Sequence, residues 1–191
     1  MAGSVRRHMA RGEFGSAGHL AFRFFTALWP GGPPADGEVW AVRMLLPGEQ
    51  QLWRRMSGPD RRHGLAVARR AMKALEADGI PVPREVVAAA LLHDVGKVEA
   101  RLGTFARVGV TLAAIVSGRQ PLLGYGKGGA GKGMRRRVAL YLTHDQVGAR
   151  LLRQAGSHEL TAGWAEQHHL PKQAWTFDAR LAHALKAADG D

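Results

Sequence analysis

The constraint that acts on this chain almost everywhere is the spacing of its apolar residues. They recur at three- and four-residue steps, the period of an α-helix, and no segment alternates with period two as a half-buried strand would. Residues 17–29 (AGHLAFRFFTALW) and 38–56 (EVWAVRMLLPGEQQLWRRM) read as helices, the second broken at Pro47-Gly48, with a turn cluster, PGGPPADG, between them. SGPDRRHGLAVARRAMKALEADGIP carries agreeing start and stop signals: Ser57 as N-cap, Asp60 three residues on, then Gly79 and Pro81. PREVVAAALLHDVGKV reads as a short, very apolar helix opening at a proline, and TFARVGVTLAAIV as another. Residues 117–134 read as a long glycine-rich loop, and 137–155, 157–169 and about 176–189 as three further helices. The expected class is all-α.

A chain of 191 residues, 46% hydrophobic, is long enough for a real core. It has no cysteine, so a bound metal must be held by His, Asp or Glu. The start, MAGSVRRHMARGEFG, has no apolar h-region, and no apolar run approaches the roughly 18 residues of a membrane span, so a cytoplasmic address is expected. A formal charge of +11 favours anionic partners. The arginines are scattered as pairs rather than gathered in one stripe. A phosphorylated small molecule or nucleotide therefore stands ahead of nucleic acid as the expected partner.

The most conspicuous motif is misleading. GKGGAGKGMRRR, residues 126–137, places Gly126, Gly131 and Lys132 on the G-x-x-x-x-G-K frame of a phosphate loop. The Mg²⁺-holding hydroxyl of that motif is replaced by Gly133, SGRQPLLGY before it is no strand, and GMRRR is a poor helix opening. The frame reads as coincidence.

The histidines are more telling. At helical spacing His93 shares a face with Val86, Ala89 and Ala90, and Asp94 with Val87, Ala90 and Leu91. A buried carboxylate needs a cation, a donor network or a metal; the alternatives for Asp94 are pairing with Lys97, one turn on, or a turn back to water. His63 sits with Val67, Ala71 and Ala74, and His144 with Val147, Gly148 and Leu151. His168 follows Leu160 and Trp164, His169 follows Ala162 and Ala165, and Asp189 lies below Leu181, Ala182 and Leu185. Several helices each end an apolar face on a metal-type ligand, whereas His8, His19, His158 and His183 show no such coordination.

The ordered set His63, His93-Asp94 and Asp189, within MSGPDRRHGLAVARR, AAALLHDVGK and HALKAAD, resembles the HD-domain superfamily of metal-dependent phosphohydrolases over about residues 45–191. The resemblance implies an HD-domain helical bundle at 46–191, with residues 1–45 as an N-terminal helical extension and a basic glycine-rich loop at 117–134. It implies a first divalent ion held by His63, His93, Asp94 and Asp189. A second would be bridged by Asp94 and completed by His144 and His168, with His169 beside it. The ion, one or two, is expected among Mn, Fe, Ni, Mg and Zn. Asp94 and Lys97 are the implied catalytic residues, and Lys97, Arg61 and Arg62 the candidates for holding phosphate, with Lys127, Lys132 and Arg135–Arg137 in reserve. The implied activity is hydrolysis of a nucleotide or other phosphate ester by metal-activated water. Two other readings stay open: a di-iron oxygenase of the same superfamily, and a non-catalytic HD-like regulatory or nucleic-acid-binding module.

Overall fold

Proline placement sets the first boundaries of the bundle. The computed structural model describes residues 31–117, 121–122 and 133–190; the helix expected at 17–29 and most of the loop expected at 117–134 lie outside them. Helix α1 (Ala35–Met44) stops before Pro47, which opens α2 (Pro47–Arg55) at its first position, where a missing N–H costs nothing. Glu49 accepts the Leu46 N–H at 2.8 Å, and Gln50 donates to the Val42 and Leu45 carbonyls at 3.0 and 3.1 Å, so the break leaves few orphan groups. Trp53, fully buried, donates its indole N–H to Glu38 at 2.8 Å and locks α2 against α1.

Helix α3 (Gly58–Ala77) begins where its cap chemistry predicts. Ser57 Oγ accepts the Asp60 N–H at 3.3 Å, and the chain turns out of the helix through Gly79, at φ +67. Replacing Ser57 by Ala is expected to cost about 1 kcal/mol, read as a lower urea midpoint at unchanged m-value. Pro83 caps α4 (Arg84–Leu92) from outside its first turn. Every residue from Val86 to Leu92 is buried, so α4 is the axis of the fold rather than a surface helix.

The remaining helices are α5 (Lys97–Ala100), α6 (Thr104–Ser117), α7 (Met134–Leu142), α8 (His144–Gln154), α9 (Glu159–Gln167) and α10 (Ala179–Asp189), with a 3₁₀ turn at Lys172–Ala174. Helices α3 and α9 pack on α4, α8 packs on α9, and α10 lies along α3. Ala41 and Leu45 of α1 belong to the same buried cluster as Trp53, Leu91, Trp164 and Leu185. Among the described residues every regular element is helical and none is a strand, so the fold is an all-α bundle. No helix of the described residues is long and apolar enough to cross a membrane.

Two boundaries differ from expectation. The stretch read as one helix at 137–155 is two, because Thr143 leaves helical geometry (φ −114, ψ 24) and returns its hydroxyl to the Ala139 carbonyl at 2.9 Å. Met134 and the three arginines, dismissed as a poor opening, form the first turn of α7. Arginine is itself a good helix former, and burial of Val138 and Leu142 anchors the turn.

Candidate metal centre

The end of α4 delivers two chemical groups at once. After Leu92 the backbone tightens into i→i+3 bonds, Val95 N–H to Leu92 O at 2.9 Å and Lys97 N–H to Asp94 O at 3.0 Å. That tight turn holds His93 and Asp94, 2% and 4% exposed, in the middle of the bundle. Two glycines let neighbouring helices close on it. A Cβ on Gly64 of α3 would stand 2.5 Å from the Leu91 carbonyl oxygen, so only glycine lets the helix carrying His63 lie this near α4. A Cβ on Gly96 would fall 1.8 Å from the carbonyl oxygen of His144 and 2.6 Å from the Gly148 nitrogen. The bare backbone at Gly96 is what brings His144 to Asp94.

The last two elements are tied down as firmly. His168 follows the final turn of α9, its N–H bonded to Trp164 O at 2.9 Å, and Lys186 of α10 donates to the His168 carbonyl at 3.0 Å. Asp189 ends α10, which Gly190 closes in the left-handed conformation at φ +78, while Arg70 of α3 donates to the Ala188 carbonyl at 2.7 Å. Asp189 is 3% exposed.

Two groups of donors result. His63, His93 and Asp189 form one, and His144, His168 and His169 the other; within each, the ligand atoms lie within 4.8 Å of one another. His63 Nε2 meets Asp189 Oδ1 at 2.9 Å, and His93 Nε2 lies 3.6 Å from the same oxygen. Metal bonds of about 2.0–2.2 Å put two ligands of one ion roughly 3–4 Å apart, so small side-chain shifts suffice. Asp94 stands between the groups. Its Oδ2 is 3.6 Å from His93 Nε2 and its Oδ1 is 3.4 Å from His144 Nε2, one oxygen toward each.

Tautomers are set by the backbone. Nδ1 of His93, His144 and His168 lies 3.0, 2.7 and 2.9 Å from the carbonyls of Ala90, Tyr141 and Ala165, each three residues back. A carbonyl only accepts, so each Nδ1 carries a proton and each ring turns its Nε2 inward. His144 Nε2 and His168 Nε2 are buried with no hydrogen-bond partner among the described residues. Burial, reinforced by neighbouring His169 and His93, holds His168 well below its ordinary pKa. Burial and His144 push the more open His169 down to about 3, so both stay neutral. For Asp94 burial opposes ionisation, yet Lys97, His93 and His144 overcome it and hold the carboxyl well below its usual range. Lys97, 2.5 Å from Asp94 Oδ2, is likewise kept charged against its burial. An ionised carboxylate between inward-turned imidazole nitrogens is a donor set that could hold a metal ion.

All seven expected metal ligands are therefore brought together, with Lys97 on Asp94. Arg61 and Arg62 are not: Arg61 faces Glu38 at 3.7 Å and Arg62 donates to the Gly31 carbonyl. At 100° per residue they leave the His63 side of α3, which is why proximity in sequence misleads here. Arg135–Arg137 lie exposed in the first turn of α7, and Lys127 and Lys132 lie outside the described residues. Three neighbours escaped the sequence reading. Tyr141 stacks on the His144 ring at 5.9 Å, Asp60 acts on Lys97 through its charge, and Arg107 bonds Asp60 at 2.7 Å. Arg107 had left a signal, being the one charge in an otherwise apolar helix. No family model matches the chain, and neither the curated proteins nor the solved structures give a significant match.

Proposed function

We propose that this chain is a metal-dependent phosphohydrolase of the HD type, acting on a nucleotide or another phosphate ester. The observation that carries the reading is Asp94, which points one oxygen at each of two imidazole groups and holds a lysine on its outer edge. A divalent ion held there would lower the pKa of its bound water toward about 7 and supply hydroxide at neutral pH. The protein's own part is orientation. His63, His93 and Asp189 on one side and His144, His168 and His169 on the other would hold one ion each, with Asp94 shared. The carbonyls of Ala90, Tyr141 and Ala165 keep the rings turned inward, so little reorganisation is needed on binding. Lys97 keeps its proton beside Asp94 and offers a fixed positive charge to a phosphoryl oxygen. The net charge of +11 draws anions toward such a site.

The test is elemental analysis of the purified protein, followed by phosphatase and phosphodiesterase substrates with Mn²⁺, Ni²⁺ and Mg²⁺. Retained divalent metal and phosphate release support the reading. Iron with oxygen uptake on turnover would replace it by the oxygenase, and stable binding of RNA or a nucleotide without turnover by a regulatory module. Chelation is expected to lower the melting temperature by at least about 5 °C, since a ligand that binds only the folded state stabilises it. Lys132→Ala, on the phosphate-loop frame, is expected to leave metal content and phosphate release within about twofold of the parent, given the missing hydroxyl at Gly133.

A further inference from the structure

Arg107 is the only charged residue of α6, TFARVGVTLAAIVS, and its side chain is fixed at two points. Nε donates to the Leu102 carbonyl at 2.9 Å and Nη1 to Asp60 Oδ2 at 2.7 Å. The side chain is 18% exposed, too enclosed for a solvated surface cation. Asp60 precedes His63 by three residues, and residues so spaced share a face of the helix. Thr111, one turn along α6 from Arg107, meets the Tyr141 hydroxyl at 3.2 Å, and Tyr141 stacks on the His144 ring. Arg107 thus lies against the turn of α3 that precedes His63, on a helix that reaches the edge of the metal centre through Tyr141.

Asp60 is already engaged from its own helix, because Ser57 Oγ donates to the same Oδ2 at 2.6 Å. It is a fixed post rather than a swinging partner. The guanidinium it holds has used Nε and Nη1, and Nη2 makes no hydrogen bond among the described residues. A planar fork tethered by two of its nitrogens presents the third in a set direction, with little conformational entropy left to lose when an anion arrives. A salt bridge serving only to dock α6 would not need the second tether.

We propose that Arg107 is a specificity-determining residue of this site: its guanidinium takes a second anionic group of the substrate, so that compounds with two linked phosphoryl groups are preferred over simple phosphate monoesters. The inference rests on the phosphohydrolase reading. Lys97 and the metal ligands engage the first phosphoryl group, and Arg107 engages the second. Asp60 acts as a positioning residue by holding Arg107.

The experiment compares AMP and ADP, which differ by one phosphoryl group, binding to the Mn²⁺-loaded full chain by titration calorimetry. The parent protein is expected to bind ADP at least tenfold more tightly than AMP. Arg107→Gln is expected to lose that preference while AMP affinity, metal content and melting temperature stay within twofold or a few degrees of the parent. Asp60→Asn should weaken ADP in the same direction and less far. Equal affinity of the parent for AMP and ADP overturns the inference, as does an equal loss of both in Arg107→Gln or no loss of either. Should Arg107→Gln not fold, Arg107→Lys decides: a preference reduced threefold or more supports the assignment, an unchanged one overturns it. A parent that releases phosphate from monoesters but shows no ADP preference sinks only this inference. A parent that neither binds AMP or ADP nor releases phosphate sinks the phosphohydrolase reading with it.

Discussion

Asp94→Ala is expected to empty both halves of the centre at once, dropping retained metal by at least about 100-fold and kcat/KM by about 10³ or more. The first figure follows from the loss of a ligand shared by two donor groups, when even an outer partner of a ligand is worth 10–100-fold in affinity. The second corresponds to about 4 kcal/mol of transition-state stabilisation, within the several kcal/mol a Lewis-acidic ion supplies. Elemental analysis and phosphate release on the same sample check both. Lys97→Met is the informative contrast. It removes a charge without removing a metal ligand, so metal content should persist while KM rises about tenfold. If Asp94→Ala kept its full metal, the donor groups would not be the ligands, however close they lie.

Gly96→Ala carries the second large effect and touches no functional group. The added Cβ would lie 1.8 Å from the carbonyl oxygen of His144 and 2.6 Å from the nitrogen of Gly148, both backbone atoms that cannot rotate aside. Relief requires α8 to move away from the Asp94 turn. The expected cost is about 3 kcal/mol, or a melting temperature lower by roughly 6–12 °C for a chain of this size. The same displacement carries His144 from Asp94, so metal should fall with stability. Gly79→Ala is the control for a glycine with open space and positive φ: it should lower stability by about 1 kcal/mol and leave metal untouched. A Gly96→Ala protein as stable and as metal-rich as the parent would mean that α5 and α8 are not held in this close approach.

The seven candidate ligands were legible because each ends an apolar helix face, and a polar group in that position must either find a partner or face water. That test works one helix at a time, so it named side chains without saying which would meet. It also explains why two arginines were named beside them as candidates for holding phosphate. Arg61 and Arg62 stand beside His63 in the chain, but rotation along α3 turns them toward Glu38 and Gly31. Tyr141, Asp60 and Arg107 were missed for the converse reason. Nothing in the helices of Tyr141 and Asp60 marks them as neighbours of the site, and the lone charge of α6 does not say what it meets; Tyr141 reaches His144, and Arg107 reaches Asp60, only through packing between helices.

Local rules were enough for the helical class, the Ser57 cap, the break at Pro47 and the ligand types, since helix period, capping and cysteine content act over a few residues or none. The division of those ligands into two groups, the place of Asp94 between them and the direction of each imidazole lone pair depend on contacts between residues as distant as His63 and Asp189. Those contacts exist because Gly64 and Gly96 let backbones approach where a single methyl group would hold them apart. Steric room between helices is a property of the packed molecule, and no periodicity along one helix contains it.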